Sequence, residues 1–128
     1  MADIVNLWAV FVGIIASGLL GVLWYSPMLF RRAWARAAGR EPDQGPSGHV
    51  IMLLTAIVAA GAFGWWAGPE PSIEEAMLDG LVVGVFFATA SLGFHYAVAG
   101  RPVELWLIDG GFEVVRFVLL GVVFGLVG

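Results

Sequence analysis

Residues 73–98, IEEAMLDGLVVGVFFATASLGFHYAV, and residues 102–127, PVELWLIDGGFEVVRFVLLGVVFGLV, are two long apolar runs separated only by Ala99-Gly100-Arg101. Each is long enough to cross a hydrocarbon core of roughly 30 Å as a helix, which takes about 20 apolar residues. The punctuation agrees with that reading. Ser72 is placed to cap the first run, with Glu75 reaching back in a capping box. Gly100 closes it and Pro102 opens the next. So short a connection predicts an antiparallel helical hairpin.

Two further runs of the same kind precede the hairpin, from about Ile4 to Tyr25 and from His49 to Ala67. The predicted fold is therefore all-α, a four-helix transmembrane bundle in one domain of residues 1–128, with spans at about 4–25, 49–67, 73–98 and 102–127. The first run has Asp3 ahead of it rather than a basic segment, and it exceeds a signal-peptide core, so it reads as a retained span. Composition points the same way: 60% of the chain is hydrophobic and 12% charged, and the mean hydropathy is +0.92. A soluble domain of this size lacks the volume to hide so much apolar surface. No basic, aromatic-interleaved surface suggests nucleic acid. The absence of cysteine removes disulfide and thiolate chemistry.

Arginine placement sets an expected orientation. Arg31, Arg32, Arg36, Arg40 and Arg101 fall after the first and third spans, whereas the loop after the second carries Glu70, Glu74 and Glu75. Positive residues stay cytoplasmic. The expectation is a multi-pass protein of the inner (plasma) membrane with both termini outside. Trp8, Trp65 and Trp66 then lie at the outer interface, and Trp24, Tyr25, Tyr96 and Trp106 at the inner one, as interfacial anchors.

Between the first two spans the sequence predicts a short amphipathic helix over about residues 27–38, with Ser26 as cap and Pro27 at its first position. Phe30, Ala33, Trp34 and Ala37 recur at helical spacing on one face, and Arg32, Arg36 and Arg40 on another. Such a helix lies in the cytoplasmic interface with its arginines among anionic lipid headgroups. A simple topology anchor is the plainer role, and a partner-docking surface the alternative.

The block Gly21-Val22-Leu23-Trp24-Tyr25-Ser26-Pro27-Met28-Leu29-Phe30 followed by Trp34 resembles the signature of a bacterial family of small four-span membrane proteins of unknown function. The later stretches Leu92-Gly93-Phe94-His95-Tyr96, Gly100-Arg101 and Leu107-Ile108-Asp109-Gly110-Gly111-Phe112 are similar to its second block, and Gly121 and Gly125 to its closing glycines. The resemblance marks Trp24, Tyr25, Ser26 and Pro27 as motif residues. It implies a four-helix membrane fold and no activity.

In lipid, helices associate through close backbone approach and polar contacts. Stripes of small residues supply the first: Ala9, Gly13, Ser17 and Gly21; Ala56, Ala60, Gly64 and Gly68; Gly80, Gly84 and Ala88; Gly121 and Gly125. They predict a tight bundle rather than a pore. The second sits in the last span, where Asp109, Glu113 and Arg116 share one face. At about 1.5 Å per residue, Glu113 and Arg116 fall near mid-membrane. Each ionised group there costs roughly 2.5–3.5 kcal/mol, so the cluster should face protein. Glu113 and Arg116 are expected to pair.

Adding His95 and Asp79 from the third span suggests a polar chain Asp79–Arg116–Glu113–Asp109–His95. Two functions follow. One is a structural or accessory component, homo-oligomeric or a subunit of a membrane complex, whose charges fix packing. The alternative is proton or small-cation transport through the cluster. The first span has no carboxylate past Asp3, unlike four-span multidrug exporters. No phosphate loop, zinc motif or nucleophile elbow occurs, so no enzyme activity, metal or cofactor is expected, His49 and His95 included.

Overall fold

The computed structural model describes residues 6–127, and the fold is all-helical, with no strand among them. The elements are α1 (Leu7–Trp24), α2 (Arg31–Ala38), α3 (Gly45–Ala67), α4 (Ile73–Val82), a π-helical segment (Val83–Thr89), α5 (Ala90–Val98) and α6 (Val103–Val127). α4, the π segment and α5 form one continuous rod. With α1, α3 and α6 it makes four helices long and apolar enough to cross a membrane. The predicted start of the first span near Ile4, with Asp3, lies outside the described residues. α1 is capped by Asn6, whose side chain accepts from the Ala9 N–H at 3.1 Å, and the third span by Ser72, which accepts from the Glu75 N–H at 3.2 Å.

Three boundaries or conformations depart from expectation. α3 begins at Gly45, before His49, because Pro46 stands in the first turn, where its missing N–H costs nothing. α2 begins at Arg31, not at 27. The Ser26 hydroxyl donates back to the Leu23 carbonyl at 2.6 Å, so Ser26-Pro27 finishes α1 instead of capping α2. The Phe30 and Arg31 N–H groups return to the Trp24 and Ser26 carbonyls at 3.1 and 3.2 Å. That turn swings the Phe30 ring onto Trp24, 4.7 Å between centroids. The third departure is the π segment, which sequence periodicity does not reveal. A π turn displaces backbone carbonyls from the regular ladder, and α6 takes up the slack. Trp106 Nε1 donates to the Thr89 carbonyl at 2.9 Å, and the Thr89 hydroxyl to the Gly110 carbonyl at 3.1 Å.

α6 is the central helix, and most of the buried side chains are its own: Leu105, Ile108, Phe117, Leu120, Val123 and Phe124. Its partners approach on glycine. A Cβ on Gly80 would collide with the Phe117 carbonyl, and one on Gly121 with the Ala76 carbonyl. On Gly84 it would come to 2.7 Å from Val114 Cα. Ala9, Gly13 and Ser17 form the buried stripe of α1, and Ala60 and Gly64 with Phe63 that of α3. Phe63 packs on Phe117 and Phe124 with centroids 6.0 and 5.9 Å apart. This core lies toward the end of the bundle away from the arginines. Toward the arginine end α3 stands clear of the other helices, with Val50, Ile51, Met52, Leu53 and Leu54 exposed.

Candidate functional site: an aromatic cage around Asp109

The first two turns of α6 carry Glu104, Leu105, Ile108 and Asp109 past the ends of α1, α2 and α5. Asp109 is the point where these elements meet. The Tyr25 hydroxyl, just past α1, donates to Oδ1 at 2.6 Å. The Tyr96 hydroxyl, from α5, donates to Oδ2 at 2.5 Å. Trp34 Nε1, from α2, reaches both oxygens, at 3.1 and 3.4 Å. A carboxylate offers about four lone-pair sites, so three neutral donors from three elements occupy most of its capacity.

Two tryptophans set the spacing of the cage. Trp24 Nε1 donates to the Ile108 carbonyl at 3.0 Å, and its ring lies over Gly111, where a Cβ would come within 3.1 Å. The Trp106 ring lies over Gly93, where a Cβ would meet it at 2.8 Å. Glycine at 93 and 111 thus lets each indole approach the neighbouring helix closely. Trp24, Tyr25, Tyr96 and Trp106, expected as interfacial anchors, are half-buried and make contacts within the bundle. Trp8, Trp65 and Trp66 remain more than 60% exposed.

The rest of the expected polar chain is not continuous. Arg116 Nη2 donates to Glu113 Oε2 at 2.5 Å, with side-chain exposures of 16% and 22%. The guanidinium also lies over Phe117 and Phe112, 4.9 and 5.7 Å from the ring centroids. Its Nε is buried with no hydrogen-bond partner. Asp109 makes no hydrogen bond to Glu113, and Asp79 none to Arg116. His95 points away from Asp109, exposed and edge-on to Phe94 at 5.7 Å. A helix turns about 100° per residue, and it is the next residue, Tyr96, that faces α6. Among the described residues no group of three His, Asp or Glu side chains is close enough to hold a metal ion.

On α2, Arg36 lies 4.0 Å from Glu104 of α6 and Arg31 3.6 Å from Glu41. Arg40 donates to the Asp43 carbonyl at 2.8 Å, and Arg32 is exposed. Ser26 and Pro27 make the turn that delivers Tyr25 and Trp34 to the cage.

Trp24, Tyr25, Trp34, Gly93, Tyr96, Asp109 and Gly111 all come from the sequence blocks that carry the family resemblance. A comparison with family models matches residues 8–125 to a family described as a protein of unknown function (DUF1761). The chain belongs to that family. Comparisons with curated proteins and with solved structures return no match. The cage unites the family blocks physically, because from dispersed positions along the chain they converge on one carboxylate. Helical spacing places Asp109 in the company of Glu113 and Arg116, and the structure gives it other partners. The usable signal in the sequence is that the hydrogen-bonding aromatics of the motif blocks fall at the same end of the predicted bundle as Asp109.

Proposed function

We propose that this is a structural or accessory protein of the bacterial inner membrane, in which the cage at Asp109 locks α1, α2 and α5 onto α6. The arginine end is cytoplasmic and both termini are outside, and Arg32, Arg36 and Arg40 rest on anionic headgroups. The protein assembles with further copies of itself or with a larger complex, along the part of α3 that stands clear of the bundle. The observation that carries the reading is the satisfied state of Asp109. A transport carboxylate must exchange partners with water or an ion, whereas this one is held by three side chains on three elements. The Glu113–Arg116 pair, closed within one helix, supports the same role.

Purified protein in proteoliposomes tests the proposal against proton or cation transport. Tyr25→Phe and Tyr96→Phe each remove one donor. Each should lower thermal stability by about 1 kcal/mol, since intramembrane hydrogen bonds average about 0.6 kcal/mol and reach about 1.7. Wild-type vesicles should show no proton or potassium flux above that of empty ones. Flux abolished by Asp109→Asn at unchanged stability would replace this reading with the transport one.

A further inference from the structure

Beside the cage, the end of α1, α2 with the turn before it, and α6 border an open groove of about 260 Å³, lined by Trp24, Phe30, Ala33, Glu104, Leu107 and Ile108. Small-molecule sites usually hold about 300–1,000 Å³, and this groove is smaller, open on one side and almost wholly apolar. Its shape suits a length of hydrocarbon chain rather than a whole compact ligand. The exception in its wall is Glu104. Opposite stands Arg36, 4.0 Å away, with side-chain exposures of 74% for Arg36 and 56% for Glu104. An ion pair that long between exposed side chains contributes little and opens readily. One turn back on α2, the exposed Arg32 adds a second positive charge on the same face. The groove therefore has one anion and one cation 4.0 Å apart at its wall, with a second cation one turn back on α2, beside an apolar trough where the arginine-bearing helix meets the bundle.

We propose that the groove seats one acyl chain of a phospholipid whose headgroup carries both a phosphate and a primary ammonium, as phosphatidylethanolamine does. Arg36 and Arg32 take the phosphate, and Glu104 accepts hydrogen bonds from the ammonium. Charge complementarity decides the class. A purely anionic headgroup would satisfy the arginines but place its negative charge against Glu104, with nothing for that carboxylate to accept. A headgroup capped by three methyls has the right charge but no N–H to donate. The inference rests on the membrane reading above and departs from it at one point: the groove gives Arg32 and Arg36 a single zwitterionic lipid, and leaves Arg40 to the anionic headgroups around it.

Native mass spectrometry of the full-length protein, released from nanodiscs with equal parts phosphatidylethanolamine, phosphatidylglycerol and phosphatidylcholine, tests it. One phosphatidylethanolamine per chain should survive activation about fivefold more often than either competitor, the scale of one charged contact. Glu104→Gln should abolish that preference, and Ala33→Phe, which fills the trough, should remove the retained lipid altogether. Unfolding in detergent, followed by circular dichroism, verifies that both variants keep the bundle. Equal retention of the three lipids, preference for phosphatidylglycerol, or a preference unchanged in Glu104→Gln would each overturn the proposal. None of these outcomes involves ion flux, so the site can fail while the structural role stands. Flux through wild-type vesicles would overturn that role without touching the lipid preference.

Discussion

At the scale of single residues, Asp109, Glu113 and Arg116 divide into two separate hydrogen-bonded arrangements. Asp109 is satisfied by neutral donors from other elements, and Glu113 by Arg116 within its own helix. The second arrangement is unevenly satisfied. Arg116 has one short bond to Glu113 and two aromatic faces, while its buried Nε makes no hydrogen bond. Removing one partner of a buried pair leaves an uncompensated charge and typically costs about 3–5 kcal/mol, whereas replacing both with apolar residues can be neutral or stabilising. Glu113→Leu and Arg116→Leu should each lower the unfolding midpoint in detergent, and the double variant should regain much of the loss. Strictly additive losses would show that the two side chains answer to different partners. Asp109 shares no hydrogen bond with either, but Phe112 packs against both Tyr25 and Arg116, so an Asp109→Asn change should couple to the double variant through packing.

At the scale of elements, the glycines sort by what lies opposite them, and sequence spacing alone does not rank them. Gly80 and Gly121 face the backbone carbonyls of Phe117 and Ala76, so neither neighbour can turn aside as a side chain could. Gly121→Ala should cost about 1–3 kcal/mol through forced separation of α4 and α6. Gly18, in contrast, has nothing within 4 Å of its would-be Cβ. Gly18→Ala should be neutral or stabilising by up to about 1 kcal/mol, from helix propensity alone. Thermal melts of the two variants, side by side in one detergent, make the comparison. A Gly121→Ala protein as stable as the wild type would mean that α4 and α6 are not in close backbone contact. The π segment belongs to this scale too. Its wider turn is tied by Trp106 and Thr89 across the same interface, so backbone approach and backbone irregularity are managed by one pair of helices.

For the whole molecule, the arginine bias makes a topological prediction. Single cysteines at Gly45 and Glu70, introduced into a chain that has none, should label differently with an impermeant thiol reagent on intact cells. Position 70 should react and position 45 only after permeabilisation. The reverse pattern would invert the orientation and move the α2 arginines and the lipid groove to the outer leaflet.

Four helices, roughly where they run, and many of the small residues that face inward are legible in the sequence alone; Gly68, at the end of the α3 stripe, has nothing within 4 Å of its would-be Cβ, and Gly93, Gly110 and Gly111 face neighbours outside any stripe. The legible features follow from local quantities: run length against bilayer thickness, capping residues, and four-residue spacing on a helix that turns through a fixed angle per residue. The stripe Ala9, Gly13, Ser17 was legible for that reason, and it is the buried face of α1. The company each polar side chain keeps comes from tertiary packing alone. Helical spacing groups Asp109 with Glu113 and Arg116, yet its donors lie 84, 75 and 13 residues away, in Tyr25, Trp34 and Tyr96. A pattern along one helix records a direction around its axis and carries no information about which neighbour stands there. The same limit put His95 in the place of Tyr96, hid the π segment, and gave Ser26 to the wrong helix. The first two involve packing across an interface, where an indole N–H or a hydroxyl within reach outweighs local preference, and the third a hydroxyl that reaches back to the Leu23 carbonyl.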